Sequence, residues 1–245
     1  MHEPRTYRLA ARSARWISFE VHAQETDLFI QAHRNLEKIG QELAIGCRGF
    51  IESYISACPG FLHALEPWKV QGPAPEIIRT MAWAGRVAGV GPMASVAGAV
   101  GESVGTGLLD FSPEVVVENG GDIFLKVNEP VVIGIFAGNS PLSMKAGIRL
   151  QGGGGSFGVC TSSATVGHSL SFGRADAVCV ISRSCALADA AATALCNQIR
   201  SSKDISRIIK TGKNIQGIEG IVVVVGKDIG FWGNLEVVPL AGKKG

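Results

Sequence analysis

Residues 157–197 constrain the fold more than any other segment, because they combine the patterns of a strand, a polar turn, a second strand and a helix. The last part, Leu187 to Asn197, is rich in Ala and lacks Gly and Pro, which predicts a helix. Asp189 and Thr193 are four residues apart and therefore share one face, about 6 Å apart along the axis. Their oxygens are the kind of ligand that a hard divalent cation such as Mg²⁺ prefers.

The same two residues also have a purely structural interpretation. Asp189 could be a first-turn acid that the helix dipole favours, and the Thr193 hydroxyl could bond back to a backbone carbonyl. The sequence alone leaves both interpretations open.

The order of patterns along the chain predicts the fold class. Apolar residues recur at helical spacing from Arg34 to Ala57, and Pro75 starts a second helix with proline in its first turn. A helical first half followed by mainly strands predicts an α+β fold. An N-terminal hairpin is predicted at 14–22 and 27–32, and later strands at 115–117, 123–127, 131–136, 156–160, 177–182 and 221–225, with helices at 187–199 and 204–211.

Composition excludes some classes of function. Charged residues make up 18% of the 245 residues and hydrophobic residues 46%, which is typical of a compact protein and compatible with a homo-oligomer. The net charge of +2 and the lack of a basic run interleaved with aromatic residues give no reason to expect nucleic acid.

Cysteine usage and hydropathy predict a cytoplasmic protein. The six cysteines form no CxxC pair and most lie in apolar surroundings, which indicates a reducing compartment. Residues 1–16 lack the apolar core of a signal peptide, and the apolar stretch at 87–101 is too short to span a bilayer. We therefore expect no membrane segment.

Two polar segments are candidates for ligand contacts. Glu118-Asn119-Gly120-Gly121-Asp122 joins two β-rich runs, and its double glycine permits positive φ and close approach to a ligand. An ordinary hairpin turn explains the same residues.

Gly152–Gly155 is interpreted as a flexible hairpin tip, because no Lys-Ser/Thr follows it as a phosphate loop requires.

The second candidate segment is a hydroxyl-rich loop with one imidazole. Thr161, Ser162 and Ser163 could line a phosphate together with backbone N–H groups, and His168 could carry a proton near neutral pH. These residues could equally serve only to turn the chain. A serine-hydrolase triad with Asp176 or Asp189 is a weaker alternative, because the GxSxG elbow is missing.

These motifs together resemble the ApbE superfamily, whose characterised members are flavin transferases. Glu118–Ile123 resembles the family's N-x-GGD segment, and 161–163 resembles its TSG loop, with His168 where the family has a histidine shortly afterwards. Ala188–Leu195 resembles the closing aDalaTA helix, and Met93–Val104 is similar in character to the helix before N-x-GGD. The order of all four agrees, and the chain most resembles a compact branch with ENGGDI and TSSATVGHS-type signatures, distinct from the characterised transferases.

The resemblance implies one α+β domain over 1–245, with mixed or antiparallel sheets and packed helices. It covers roughly 75–225, whereas the N-terminal hairpin and helix within 1–70 do not align with the transferases. It also implies FAD in a cleft lined by 118–122 and 161–163, and Mg²⁺ held by Asp189 and Thr193. In the transferases the metal supports attack on the FAD pyrophosphate, which leaves FMN on a threonine of an acceptor protein.

Two departures separate this chain from the transferases. Ala97-Gly98 stands at the counterpart of their Lys-Gly, and the segment after His168 is shorter and lacks their His-Ile-x-x-Pro portion. We expect an Mg²⁺-dependent enzyme that acts on FAD or a related phosphate-bearing cofactor, with His168 as the acid/base. The alternatives are a non-catalytic carrier of a flavin or nucleotide and an oligomeric scaffold.

Overall fold

Eleven β-strands and six α-helices form within residues 15–165 and 173–240, the part of the chain that the computed structural model describes. The strands are β1 (Ile17–Ala23), β2 (Thr26–Ala32), β3 (Val115–Asn119), β4 (Asp122–Lys126), β5 (Val131–Gly134), β6 (Ala146–Leu150), β7 (Ser156–Ser162), β8 (Ala177–Ser182), β9 (Ile218–Val225), β10 (Asp228–Gly233) and β11 (Glu236–Pro239). The helices are α1 (Glu37–Ala57), α2 (Gly60–His63), α3 (Glu76–Ala88), α4 (Val96–Leu108), α5 (Cys185–Cys196) and α6 (Ile205–Lys213). Short 3₁₀ turns at Pro92–Ser95 and Ser202–Asp204 precede α4 and α6.

The strands form two antiparallel sheets. The large sheet has the order β1-β2-β3-β4-β7-β8-β9-β10, and the small sheet has the order β11-β6-β5. Every strand pair in both sheets is antiparallel. The predicted α+β class with packed helices is therefore confirmed, and the sheets are purely antiparallel.

Alternation along the central strands divides the core into two layers. On β8, Val178 and Val180 belong to the core between the large sheet and the helices. Ala177, Cys179 and Ile181 belong to the core between the two sheets. Because successive side chains of a strand point to opposite faces, a strand buried on both faces needs this continuous apolar sequence.

Several predicted boundaries are wrong by a few residues. The turn of the first hairpin is shorter than predicted, because Ala23 pairs directly with Thr26 and Gln24 adopts a positive φ of 52°. Helix α1 begins at Glu37 rather than Arg34, and Pro75 caps α3 instead of occupying its first turn. Strands β6, β10 and β11 were not predicted, because glycine and charged residues interrupt their patterns.

The prediction that Gly152–Gly155 forms a hairpin tip is wrong. This segment connects β6 of the small sheet to β7 of the large sheet, and these two strands do not pair. A Cβ on Gly152 would lie 2.4 Å from the backbone nitrogen of Glu129, so the chain packs closely here. The glycines permit a crossover between sheets.

The N-terminal hairpin is an integral part of the large sheet. A buried carboxylate, Glu114, joins it to the rest of the sheet by accepting the backbone N–H of Asn128 at 2.6 Å and the indole N–H of Trp16 at 3.2 Å. His33 Nε2 lies 2.7 Å from Glu114 Oε2, and Arg15 forms an ion pair with the same side chain. Burial alone would raise the pKa of Glu114, but these partners outweigh burial and lower the pKa from 4.5 to about 2.

We expect Glu114→Gln to lower the free energy of unfolding by about 3 kcal/mol at pH 7. The folded-state pKa lies below the unfolded value, so the carboxylate contributes its full stability above pH 4.5 and loses it as pH falls towards 2. Urea unfolding at pH 7 and pH 3 measures both effects. Glu129→Gln is the control, since Glu129 also pairs with Arg15 but its side chain is 74% exposed. An equal loss in both variants would contradict the assignment.

Among the described residues, no helix by itself has the length and apolarity to cross a membrane. The bent pair Glu76–Ala88 and Pro92–Leu108 meets the requirement only when its two helices are taken together.

Candidate functional site

Helix α5 lies in the centre of the protein and is buried almost completely. Eleven of its twelve residues are buried, and Thr193 is the exception. Ser184 caps the helix by accepting a hydrogen bond from the Leu187 N–H at 3.3 Å. Glu102 of α4 supports the same end, because its Oε2 accepts the Ala186 N–H and the Ser184 hydroxyl, both at 3.0 Å.

Helices α4 and α5 approach each other closely at Gly98. A Cβ at this position would lie 2.4 Å from the Cys185 carbonyl oxygen and 2.8 Å from Asp189 Cβ. The approach allows the Gly98 N–H to donate to Asp189 Oδ2 at 2.8 Å, and the Ala97 N–H also bonds to this carboxylate. Asp189 is therefore in the second turn of α5 and is held by another helix, which contradicts its interpretation as a first-turn acid.

The segment 118–122 forms a tight hairpin turn beside α4. Asn119 pairs with Asp122 across the turn, and Gly120 and Gly121 have φ values of 66° and 104°. Two positive φ values in a two-residue loop are typical of a type I′ turn. Buried Glu118 accepts the Gly121 N–H at 2.8 Å, so this side chain stabilises the turn itself.

The turn contacts the same backbone that holds Asp189. The Asn119 side-chain amide donates to the Ala97 carbonyl oxygen at 3.0 Å, while the Ala97 and Gly98 N–H groups face Asp189. One peptide segment of α4 thus connects two motifs that are about 70 residues apart in the sequence.

Two carboxyl groups, Asp122 and Asp189, lie close together in the interior. Burial raises the pKa of Asp122 well above its ordinary value, and the neighbouring charge of Asp189 raises it further. Burial is also the main cause of the raised pKa of Asp189. No Lys or Arg within the described ranges forms an ion pair with either group. Two buried carboxyls without a cation need a shared proton or a bound cation to coexist.

Two thiols lie near this pair, Cys160 on strand β7 and Cys185 at the start of α5. The Cys160 and Cys185 sulfur atoms are 3.5 Å apart, and both residues are fully buried. All six cysteines are free. Burial raises the pKa of the Cys160 thiol well above its ordinary value, so the thiol is neutral at physiological pH.

The hydroxyl-rich segment begins beside Asp122 and then leads away from it. The Thr161 N–H donates to Asp122 Oδ1 at 3.2 Å, and Ser162 ends β7. Ser163 Oγ accepts the Thr165 N–H at 3.1 Å.

Among residues 15–165 and 173–240, neither acid of the alternative hydrolase triad contacts a histidine. Asp176 bonds to the Thr165 hydroxyl at 3.1 Å and to the Gly226 N–H at 2.7 Å, whereas Asp189 bonds to α4. His168 lies outside the described residues, so its acid/base role stays a prediction.

The donor chemistry fits Mg²⁺ better than a softer metal. Among the described residues, no group of three or more His, Cys, Asp or Glu side chains has the arrangement of a metal site. Mg²⁺ retains several water ligands and needs only one or two carboxylates from the protein. The carboxyls of Asp189 and Asp122 are hard oxygen donors of this kind, and the partly exposed Thr193 lies one turn further along the same face of α5 as Asp189.

Sequence reasoning identified most of these residues but missed two groups that position them. Glu102 and Ser184 hold the start of α5, and the backbone N–H groups of Ala97 and Gly98 hold Asp189. The high density of small residues in α4 was the sequence feature that could have indicated this contact, because small residues permit two helices to approach closely.

Comparisons with known proteins agree with this architecture. A family model described as AbpE bacteria matches residues 8–227. A UPF0280 protein of Methanocaldococcus jannaschii is 42% identical over 226 residues, which cover 90% of this chain and 92% of the relative. A UPF0280 protein of Methanosphaerula palustris is 42% identical over 200 residues, which cover 81% and 82%.

Solved structures of flavin transferases share the fold. The apo form of the flavinyl transferase ApbE of Pseudomonas stutzeri aligns with a TM-score of 0.57 at 16% identity, covering 89% of this chain and 93% of that one. The flavin transferase ApbE of Vibrio cholerae aligns with a TM-score of 0.52 at 14% identity, covering 91% and 96%. At these identities the likeness concerns the fold alone.

Proposed function

This chain belongs to the AbpE bacteria family, and from that premise we propose that it is an ApbE-like, Mg²⁺-dependent enzyme acting on FAD or a related phosphate-bearing cofactor. The observation that carries the proposal is the buried pair of Asp122 and Asp189, held against the Ala97-Gly98 backbone without a described cationic partner. The fold shared with two flavin transferases supports the choice of a flavin.

The proposed metal ligands are Asp189 and Thr193. Thr193 is the one residue of α5 that is not buried, so the ridge from Asp189 to Thr193 leads from the interior towards solvent. A ligand entering at Thr193 would meet the carboxyl of Asp189 about one helical turn further in. When bound, Mg²⁺ would neutralise negative charge on the pyrophosphate oxygens.

The proposed cofactor contacts are residues of the two polar segments. Asn119, Gly120, Gly121 and Asp122 would line one wall, where the glycines leave the backbone open; a Cβ on Gly121 would meet nothing within 4 Å. Ser162, which shares the helix-facing side of β7 with Cys160, and Ser163 would line the opposite wall with hydroxyl groups. Thr161 would contribute its backbone N–H, which already bonds to Asp122, because its hydroxyl lies on the other face of β7 beside Cys179. Glu118 would keep the turn in place through Gly121.

The proposed reaction is attack on the phosphorus of the FMN half of FAD. A hydroxyl of an acceptor protein, or water, forms the new P–O bond while the bond to the AMP phosphate breaks and AMP leaves. The attacking hydroxyl gives its proton to a base, for which His168 is the sequence candidate. The products are AMP and FMN, either esterified to the acceptor or free, and we place the reaction in the cytoplasm.

A non-catalytic flavin or nucleotide carrier is the second candidate, and one observation favours it. Ala97 stands where the transferases carry a lysine, so a charge that could meet a phosphate is missing. The Ala97 carbonyl oxygen is also already bonded to Asn119 at 3.0 Å. Such a site would keep the cofactor cleft but lack one of the residues that the transferases use.

Chromatography of FAD incubated with the purified protein and Mg²⁺ tests the proposal. We expect AMP and FMN to appear with Mg²⁺ and not in an EDTA control. Intact FAD that co-purifies with the protein would favour the carrier. Intact FAD without binding would contradict both and favour an oligomeric scaffold.

A further inference from the structure

A cavity that is open to solvent lies apart from the residues of the proposed cofactor cleft. It has a volume of about 570 Å³ and is formed between the connector 67–70 and the outer face of α3. This volume lies within the range of about 300–1,000 Å³ that is usual for small-molecule sites.

The residues that α3 contributes share one helical face. Arg79, Trp83 and Arg86 are spaced at i, i+4 and i+7, and all three are exposed. The opposite face, which includes Met81 and Gly85, is buried. Since the buried face of α3 packs on the core that contains α5, the helix itself separates this cavity from Asp189.

The charge of the cavity is positive and uncompensated. Lys69 of the connector joins Arg79 and Arg86 of α3 in lining it, and no acidic residue of the described chain does so. None of these three cations forms an ion pair within residues 15–165 and 173–240. An isolated cation on the surface of a protein is usually solvated by water. Several cations that line the same cavity instead favour the binding of an anionic ligand.

Two indole rings provide flat apolar walls. Trp68 is fixed in place, because its Nε1 donates to the Tyr54 hydroxyl at 3.3 Å and its ring meets Phe61 edge-on with centroids 5.9 Å apart. Trp83 faces the cavity from α3 and is 38% exposed. Aromatic side chains with exposed faces are the usual platform for stacking a planar base.

We propose that this cavity binds a nucleotide, with the phosphate held by Arg79, Arg86 and Lys69 and the base stacked on Trp83 or Trp68. Arginine pairs with phosphate in a bidentate manner, and a base on an indole adds stacking energy. The site is separate from the proposed flavin chemistry and stands or falls independently of it.

Titration with ADP, followed by calorimetry and by indole fluorescence at low salt, tests the site. We expect saturable binding with quenching of tryptophan emission. The double variant Arg79→Gln/Arg86→Gln should weaken binding by about 30-fold or more, since it removes two charge-assisted contacts. Trp83→Ala should weaken binding by about 10-fold and reduce the quenching.

Two control variants distinguish the cavity from other binding. Lys38→Gln/Lys210→Gln removes two exposed positive charges elsewhere and should leave the ADP affinity within about twofold when the titration is repeated at about 0.15 M salt, where distant surface charges are screened. Asp189→Asn alters the proposed cleft and should also leave ADP binding unchanged. Circular dichroism confirms that each variant is folded.

Three outcomes would overturn the proposal. The first is the absence of ADP binding at millimolar concentration. The second is that the arginine double variant and the lysine double variant weaken ADP binding equally. The third is that Asp189→Asn loses ADP binding while the arginine double variant retains it. Binding of an acidic peptide such as poly-glutamate without binding of ADP would likewise assign the surface to a different partner.

Discussion

Asp189→Asn is expected to abolish Mg²⁺-dependent ligand binding while leaving the fold intact. Asparagine keeps an oxygen that can accept the Gly98 N–H, now bonded at 2.8 Å, but it removes the charge that a divalent cation requires. We expect the affinity for Mg²⁺ to fall by about 100-fold or more. Calorimetric titration of Mg²⁺ into the protein measures this without any assay of turnover.

The stability of the same variant provides an independent check. Asp189 and Asp122 are buried together and each is costly to ionise, so removing one carboxyl should leave the melting temperature unchanged or higher. Asp189→Ala should instead cost about 1–3 kcal/mol, because the Gly98 N–H loses its partner.

Asp110→Asn is the matched control, since Asp110 is an exposed acid that follows α4. Unchanged Mg²⁺ affinity in Asp189→Asn, or an equal loss in Asp110→Asn, would remove Asp189 from the metal site.

Gly98→Ala is expected to cause a large loss of stability. The new Cβ would lie 2.4 Å from the Cys185 carbonyl oxygen and 2.8 Å from Asp189 Cβ, and both helices also pack against the large sheet, so separating them would disturb further contacts. We expect the free energy of unfolding to fall by about 3 kcal/mol or more. Urea unfolding measures the change, and Mg²⁺ titration of any folded fraction reports displacement of Asp189.

Gly101→Ala is the control on the same helix. A Cβ at Gly101 would meet nothing within 4 Å, so alanine should be neutral or should stabilise α4 by up to about 1 kcal/mol through its helix propensity. Equal stability of the two variants would mean that the helices can separate at Gly98 without cost.

Much of the secondary structure could be predicted from local patterns. The run Ala177–Ser182 was predicted with its observed bounds, because a strand buried on both faces is apolar throughout and ends at polar residues. Helix α1 continues through Gly46 and Gly49. A Cβ at either position would meet nothing within 4 Å, so the missing side chains cost the helix no packing contacts. Strands β6 and β11 escaped prediction because glycine and charged residues interrupt their short apolar patterns, and for β11 the pairing partner also lies about 90 residues away in the sequence.

The sequence predicted the residue types of the candidate site better than it predicted their positions relative to one another. Asp189 and Thr193 share a helical face by spacing alone, and the positive φ of Gly120 and Gly121 follows from the double glycine in a short turn. The resemblance of the ordered motifs to ApbE proteins is confirmed by the family match over 8–227.

Short-range patterns along the sequence therefore determined the class of fold, the family and the residue types of the site. Only the tertiary structure decided that Asp122 and Asp189 meet, because their proximity depends on the crossing of α4 and α5 at Gly98 and on the pairing of β4 with β7. Burial raises the pKa of both carboxyls, and the charge of Asp189 raises the pKa of Asp122 further; both effects exist only after those long-range contacts have formed. The same holds for the cavity beside α3, since Trp68 and Trp83 face one space only when the connector folds across the helix.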